Sequence, residues 1–326
     1  MIPYTPPATA ESLPIIDLRA AKSDDAAARA ALAFEIHKAC RDTGFFYVAH
    51  HDIPQELIDA QLAWSKRFFA LPLDRKLGIC MDKSKGPSGY EPMQMQTLDL
   101  GSPPDLKEGF QIHREASKKD AAAGYRGANL WPSDLPGFRE QMVAYHDAVM
   151  QLGVRLMGLI ALSLDLPEDY FIPGLDDLMC SVRLLHYPPH PSDASANQLG
   201  AGAHTDWGSI TILLQDEAGG LEVQHASGTW IRARPVPGTL VINLGDMIRR
   251  WTNDIYHSTM HRVLNAESGR DRYSVAAFFN PNYDYRVVCL PTCRPAQGEP
   301  LYAPCTVGEH LKEMFEKTYG RKRESV

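Results

Sequence analysis

The sequence predicts an α+β chain in which a double-stranded β-helix, or jelly roll, follows an α-rich N-terminal part. Three observations predict it. Phe138, Met142, Tyr145, Val149, Leu152, Leu156 and Leu159 recur every three or four residues, the stripe of a long core-facing helix. From Met179 onward the pattern changes to about eight short apolar, β-branched runs divided by Gly219-Gly220, Ser227-Gly228, Pro237-Gly238 and Asn280-Pro281-Asn282. Strands of that length and spacing suit a double-sheet arrangement, which protects antiparallel edges.

Each element follows from local chemistry. Leu13 to Leu18 reads as a first strand, and 24–42 as a helix with Ala28, Leu32, Ile36 and Ala39 on one side, closed by Thr43-Gly44. Phe45 to Val48 is aromatic and β-branched, hence a strand. Pro54 opens a second helix, where its missing N–H costs nothing. From Gly78 to Asn129 periodicity is lost, and the Gly-, Pro-, Met- and Gln-rich stretch 86–97 reads as a binding loop or surface excursion. Asp105 to Phe110 returns the chain to a sheet, 133–164 is the long helix, and Pro167 ends it. The later strands are expected at 181–186, 208–215, 221–225, 229–231, 239–244, 261–264, 274–279 and 285–288, with a closing helix over 306–319. With no internal repeat, 1–326 reads as one domain: an α-rich N-terminal region (1–178), the jelly-roll core (179–290), and a C-terminal helix and tail (291–326).

Composition narrows the function classes. The 326 residues are 44% hydrophobic and 22% charged, enough to bury a full core. The net charge of −7 argues against a nucleic-acid partner, and the basic triplet Arg321-Lys322-Arg323 reads as a solvated tail. Six cysteines form no C-x-x-C pair, which favours a reduced, cytoplasmic protein. The N-terminus lacks the basic and apolar regions of a signal peptide, and the apolar run 156–164 is too short to span a bilayer. A small-molecule partner is expected, without nucleic acid or membrane, for a monomer or weak homodimer.

The chemistry concentrates at Gly202-Ala203-His204-Thr205-Asp206-Trp207-Gly208, at the head of the apolar run to Leu214. On a continuous strand, positions 204 and 206 share a face and aim an imidazole and a carboxylate at one point. That is two thirds of the 2-His-1-carboxylate set of non-haem Fe(II) oxygenases, although H-x-D alone is common. A second imidazole could come from His261, in the strand-like Ser258 to Leu264, or from His257, which ends a loop and ranks second. Beyond it, Arg272 and Ser274 share a strand face, and a guanidinium fork beside a hydroxyl suits a carboxylate.

In this order, H-T-D, H-R-V and R-Y-S on jelly-roll strands, the chain resembles the Fe(II)/2-oxoglutarate-dependent dioxygenases. The likeness is to the isopenicillin N synthase-like branch, with its plant flavonoid and gibberellin oxygenases and ethylene-forming oxidases. Leu13 to Asp17, Gly44 to Val48, Gly219 to Val223, Val241 to Met247 and Trp251 to Asp254 extend the likeness over nearly the whole chain. The resemblance places His261 rather than His257 in the ligand position. It implies Fe(II) on His204, Asp206 and His261, with O2 and 2-oxoglutarate as co-substrates. It further implies that Arg272 and Ser274 hold the distal carboxylate of 2-oxoglutarate and that Tyr187 contacts the same molecule. Plant members usually carry Asn two positions before this Tyr; this chain departs with Leu185.

The implied reaction is hydroxylation, or desaturation or ring closure, of a small organic substrate, releasing succinate and CO2. Arg183, Phe278 and Asn280, with the 86–97 stretch, are candidates to line the substrate. Two rivals stand beside this reading. One is an Fe(II) oxidase of the isopenicillin N synthase type that uses O2 without 2-oxoglutarate, and the other is a non-catalytic metal-binding sensor on the same fold.

Overall fold

Two largely antiparallel sheets face each other, and helices close the outer side of the larger one. The computed structural model describes residues 3–84, 88–99, 101–114, 128–191, 195, 198–264 and 269–319. The basic triplet 321–323 and residues 86–87 of the expected loop lie outside the described residues.

The strands run in chain order as β1 (Ile15–Asp17), β2 (Phe45–Ala49), β3 (Gly89–Glu91), β4 (Glu108–His113), β5 (Ser181–Tyr187), β6 (Ala201–His204) and β7 (Ile210–Gln215). They continue as β8 (Leu221–Gln224), β9 (Trp230–Arg232), β10 (Thr239–Leu244), β11 (His261–Val263), β12 (Arg272–Phe279), β13 (Arg286–Val287) and β14 (Cys305–Thr306). The larger sheet has the order β1-β2-β10-β7-β12-β5-β4-β3, the smaller β6-β11-β8-β9, and β13 pairs with β14. Only β1 and β2 run parallel among these pairs. With its helices, this is an α+β fold on a double-stranded β-helix core.

The helices are α1 (Ala26–Asp42), α2 (Gln55–Phe69), α3 (Leu73–Gly78), α4 (Phe138–Ser163), α5 (Asp246–Trp251) and α6 (Val307–Tyr319). The Asp25 carboxylate caps α1 by accepting the Ala27 N–H at 2.8 Å. The apolar stripe of α4 buries Val149, Leu152 and Leu156 against Val182, Leu184, Val275 and Ala277 of the larger sheet. Its fit is close: a Cβ at Gly153 would lie 2.2 Å from the Phe279 ring, so only glycine admits the ring there. No helix among the described residues is long and apolar enough to cross a membrane.

Strand alternation sorts the larger sheet into two faces. On β12, Tyr273, Val275, Ala277 and Phe279 turn to the helices, and Arg272, Ser274, Ala276 and Phe278 turn to the smaller sheet. The inner core is smaller, built by Phe45, Tyr47, Leu185, Tyr187, Val223, Val241 and Val263. Hydrophobic burial is concentrated outside, which leaves polar side chains room inside.

The structure differs from the sequence expectation in three places. His204 and Asp206 do not share one strand: β6 ends at His204 in the smaller sheet, and β7 begins at Ile210 in the larger. The chain turns between sheets through Trp207-Gly208, where a Cβ on Gly208 would lie 2.2 Å from Asn280 Oδ1. Second, residues 89–91 of the expected loop form a buried strand, β3, too short to show a period. Third, α4 starts at Phe138 rather than at 133, while its end at Ser163, before Pro167, is as expected.

Candidate metal centre

The centre forms at the corner where β6 hands the chain to β7. His204 is the last residue of β6 and stands directly opposite His261, the first of β11, with ring centroids 4.2 Å apart. The turn after β6 brings Asp206 beneath them. Its Oδ1 lies 3.8 Å from His204 Nε2 and 3.7 Å from His261 Nε2. The three ligand atoms lie within 4.8 Å of one another, and they form the one such group of three among the described residues.

The far side of each group is fixed. His204 Nδ1–H donates to the Gly202 carbonyl at 2.7 Å, and His261 Nδ1–H to the Thr259 carbonyl at 3.0 Å. Those bonds select the tautomer that leaves both Nε2 lone pairs facing inward. Phe45 packs edge-on to His261 at 5.2 Å. Asp206 Oδ2 accepts from Thr211 Oγ1 at 2.5 Å and from Asn243 Nδ2 at 2.7 Å, which leaves Oδ1 to face the imidazoles. Burial, then the neighbouring His261, push the His204 imidazole well below its usual pKa. Burial would raise the Asp206 carboxyl, but the two imidazoles and the bonds from Asn243 and Thr211 outweigh it and hold it low. Two imidazoles and a carboxylate, each with one donor atom turned to a common point, are the donor set of a divalent first-row metal and fit Fe(II). His257 takes no part: it is exposed, and its backbone N–H donates to the carbonyl of Cys40 in α1.

Thr211 and Asn243 escaped the sequence reading. Asn243 had a signal, being one amide in the otherwise apolar run Leu240 to Leu244.

A row of inner-face positions leads away from the centre. Phe278 stands opposite Thr211 on β7 and Ser181 on β5. Asn280, by contrast, is committed to backbone: its Oδ1 accepts from Ser209 N at 2.9 Å and its Nδ2 donates to Met179 O at 3.0 Å. Arg183 pairs with buried Glu91 and donates to Gln96 Oε1 at 3.1 Å. Farther along, Arg272 stands opposite Tyr187 with its guanidinium 4.7 Å from the ring centroid. Its Nε donates to Gly219 O at 2.6 Å and its Nη1 to Ser274 Oγ at 3.0 Å. No carboxylate among the described residues pairs with it, although it is only 3% exposed. Leu185 stands opposite Ser274 and belongs to the inner apolar core.

Comparison with known proteins identifies the family. Residues 178–281 match the model of the 2OG-Fe(II) oxygenase superfamily, and 13–134 match the N-terminal model described for a non-haem dioxygenase in morphine synthesis. A 2-oxoglutarate-Fe(II) type oxidoreductase of Emericella nidulans, hxnY, is 40% identical over 94% of this chain and 90% of its own. The chain belongs to the Fe(II)/2-oxoglutarate-dependent dioxygenases. A homoarginine-6-hydroxylase of Glycine max is 35% identical over 92% of this chain and 95% of its own. The crystal structure of a full-length Neurospora crassa protein in complex with alpha-KG and thymine superposes with a TM-score of 0.84 at 31% identity. That match covers 94% of this chain and 96% of the other. The oxygenase is thus an enzyme that works with Fe(II), 2-oxoglutarate and O2 on a small-molecule substrate.

Proposed function

We propose that His204 Nε2, Asp206 Oδ1 and His261 Nε2 hold the Fe(II), and that Arg272, Ser274 and Tyr187 bind the distal carboxylate of 2-oxoglutarate. The observation that carries this reading is the convergence of three donor atoms whose opposite atoms are all bonded elsewhere. A facial set of three protein ligands leaves positions for the 2-oxo acid and O2, and the metal supplies the oxidative chemistry. The protein's share is placement. Arg272 keeps a buried positive charge, with no carboxylate partner among the described residues, at the far end of the inner face, where a second carboxylate would complete it. Its guanidinium is held flat by the Gly219 carbonyl and the Tyr187 ring, so the fork is oriented before the ligand arrives. Leu185 gives the middle of the co-substrate an apolar wall in place of an amide.

The substrate lies over Phe278 and the polar group of Arg183, Glu91 and Gln96, and hydroxylation is the reaction this geometry serves, with desaturation and ring closure as variants. Asn280 frames the site by holding the turn at Ser209. One structural relative holds thymine and another relative is a homoarginine hydroxylase, which supports a small organic substrate here. On the same reading the oxygenase is a cytoplasmic monomer or weak homodimer that binds no nucleic acid. Its core spans 179–290, between the α-rich region of residues 1–178 and the C-terminal helix and tail of residues 291–326.

The test is anaerobic. Fe(II) and 2-oxoglutarate are added to the apoprotein, candidate substrates are screened for a shift of the metal-to-ligand charge-transfer band, and hits are assayed for succinate. Turnover with stoichiometric succinate supports the reading. Turnover without succinate overturns it in favour of an oxidase, and full cellular function of His204→Ala overturns catalysis altogether.

A further inference from the structure

The stretch Asp105-Leu106-Lys107-Glu108-Gly109 returns the chain to the larger sheet, and each polar residue in it has a separate task. Glu108 faces the helices. Gly109 faces inward, where a Cβ would lie 2.7 Å from Glu91 Oε2 and 3.3 Å from Arg183 Nε, so its bareness admits that ion pair. Asp105 and Lys107 are buried at 2% and 4% exposure and pair with each other.

Asp105 also reaches the other sheet. β6 is the edge strand of the smaller sheet, so its outer side lacks a strand partner. That side is covered by Asp99, Asp105 and Leu106: Leu106 N–H donates to Leu199 O at 2.9 Å, and Gly202 N–H to Asp105 Oδ1 at 2.9 Å. A Cβ on Gly202 would lie 2.8 Å from Asp99 Cβ, so the cover closes tightly over this residue. On its inner side β6 pairs through His204 with His261 and through Ala201 with Val263, which leaves two residues, Gly202 and Ala203, opposite Arg262. That is a β-bulge, a device that re-aims the side chain beside it. The Gly202 carbonyl is the group that accepts His204 Nδ1–H.

We propose that Asp105, held by Lys107, is a positioning residue for His204: it pins the bulged Gly202, whose carbonyl orients the imidazole toward the metal. The proposal rests on the reading that His204 is a metal ligand. A buried carboxylate accepting a backbone N–H is stiff only while its charge is matched, and Lys107 matches it. Outer partners of this kind tune metal affinity strongly.

The experiment compares Asp105→Ala, Asp105→Asn and Lys107→Met with the wild type in three measurements. These are anaerobic Fe(II) titration of the apoprotein, the charge-transfer band with 2-oxoglutarate, and the thermal midpoint of the apoprotein. Asp105→Ala is expected to weaken Fe(II) binding roughly 10- to 100-fold and to shift the band. Asp105→Asn, which keeps an acceptor for Gly202 N–H, is expected to recover most of the affinity, and Lys107→Met to fall between them. Fe(II) affinity and band unchanged in every variant that folds, even with a lowered midpoint, would make the pair a plain strut and overturn the proposal. His204→Ala separates the two claims. If it loses iron while the Asp105 and Lys107 variants keep it, only this inference fails; if it keeps iron, the ligand reading fails first.

Discussion

The two faces of strands β4, β5 and β12 carry two polar clusters of opposite character. On the helix side Glu108 is saturated: its Oε2 accepts from Lys76 Nζ at 2.7 Å and Tyr90 OH at 2.6 Å, and its Oε1 meets His186 Nδ1 at 2.7 Å. His186 Nε2 in turn meets Asp271 at 2.7 Å. On the inner side Arg272 has a carbonyl and a hydroxyl but no carboxylate among the described residues, and Asp206 Oδ1 has only two imidazole nitrogens, beyond hydrogen-bond distance. A buried charge left short of partners is costly unless something arrives to complete it. The saturated cluster therefore serves the fold, and on the proposed reading the unsaturated one takes the metal and co-substrate. Predictions that treat the two alike should fail.

The largest effect belongs to the inner cluster. On the proposed reading His261→Ala removes one of three ligand atoms, so bound iron and succinate formation should fall to background. The apoprotein should keep its fold, because the lost side chain gives up one local hydrogen bond, to the Thr259 carbonyl, and ring contacts with Phe45 and His204. Metal analysis with circular dichroism checks both halves, and a variant that unfolds would blur the contrast between the faces.

Glu108→Ala should behave in the reverse manner. It leaves the Lys76 ammonium, whose side chain is 8% exposed, with the Phe69 carbonyl at 3.1 Å but without its carboxylate, and takes the acceptor from the Tyr90 hydroxyl. Breaking a buried pair in this way costs about 3–5 kcal/mol. A urea titration should find most of that loss, while folded protein at low temperature keeps its Fe(II) affinity. A loss of iron affinity without a loss of stability would show that the faces are coupled.

Arg272→Ala comes next. Each charge-assisted hydrogen bond is worth about 1.5–3 kcal/mol, so KM for 2-oxoglutarate should rise more than about tenfold. Fe(II) binding in the absence of 2-oxoglutarate should be unmoved. An unchanged KM would place the co-substrate's far carboxylate elsewhere.

Legibility followed the same division. His204, Asp206, His261, Arg272 and Ser274 could be picked out in the sequence because each lies in a short motif whose chemistry is compact in the chain. Strand alternation was the wrong reason to link His204 with Asp206. A four-residue β6 followed by a turn leaves no period to read, and the two side chains converge across a sheet corner. Asp105 was invisible as a neighbour of the site, and Glu91 and Gln96 were legible only as members of the 86–97 stretch, not as partners of Arg183. They reach it through edge pairing from 87 to 97 residues away, a distance no local pattern encodes. Asn280 shows what a strand-end residue type leaves open. A polar residue at a strand end looked available for substrate, and its amide is spent on the backbone of Ser209 and Met179.

The smallest effect is a pH dependence on the saturated face. Burial alone would lower the His186 pKa, but the carboxylates of Glu108 and Asp271 overcome it and raise it above the usual histidine value near 6.5. Burial would likewise raise Glu108, but its bonds from His186, Lys76 and Tyr90 bring it below the usual range. A raised histidine contributes stability that is complete below its unfolded pKa and is lost as pH climbs through the folded one. A lowered glutamate contributes above its unfolded pKa and loses that contribution as pH falls through the folded one. The two windows overlap between roughly pH 5 and 6.5. The difference in urea midpoint between wild type and His186→Gln should be widest there and narrow above neutral pH. His186 also stacks on Tyr273, with centroids 4.7 Å apart, and that packing does not titrate. A gap that stays constant from about pH 5 to 9 would assign His186 to packing and leave Glu108 balanced by Lys76 alone.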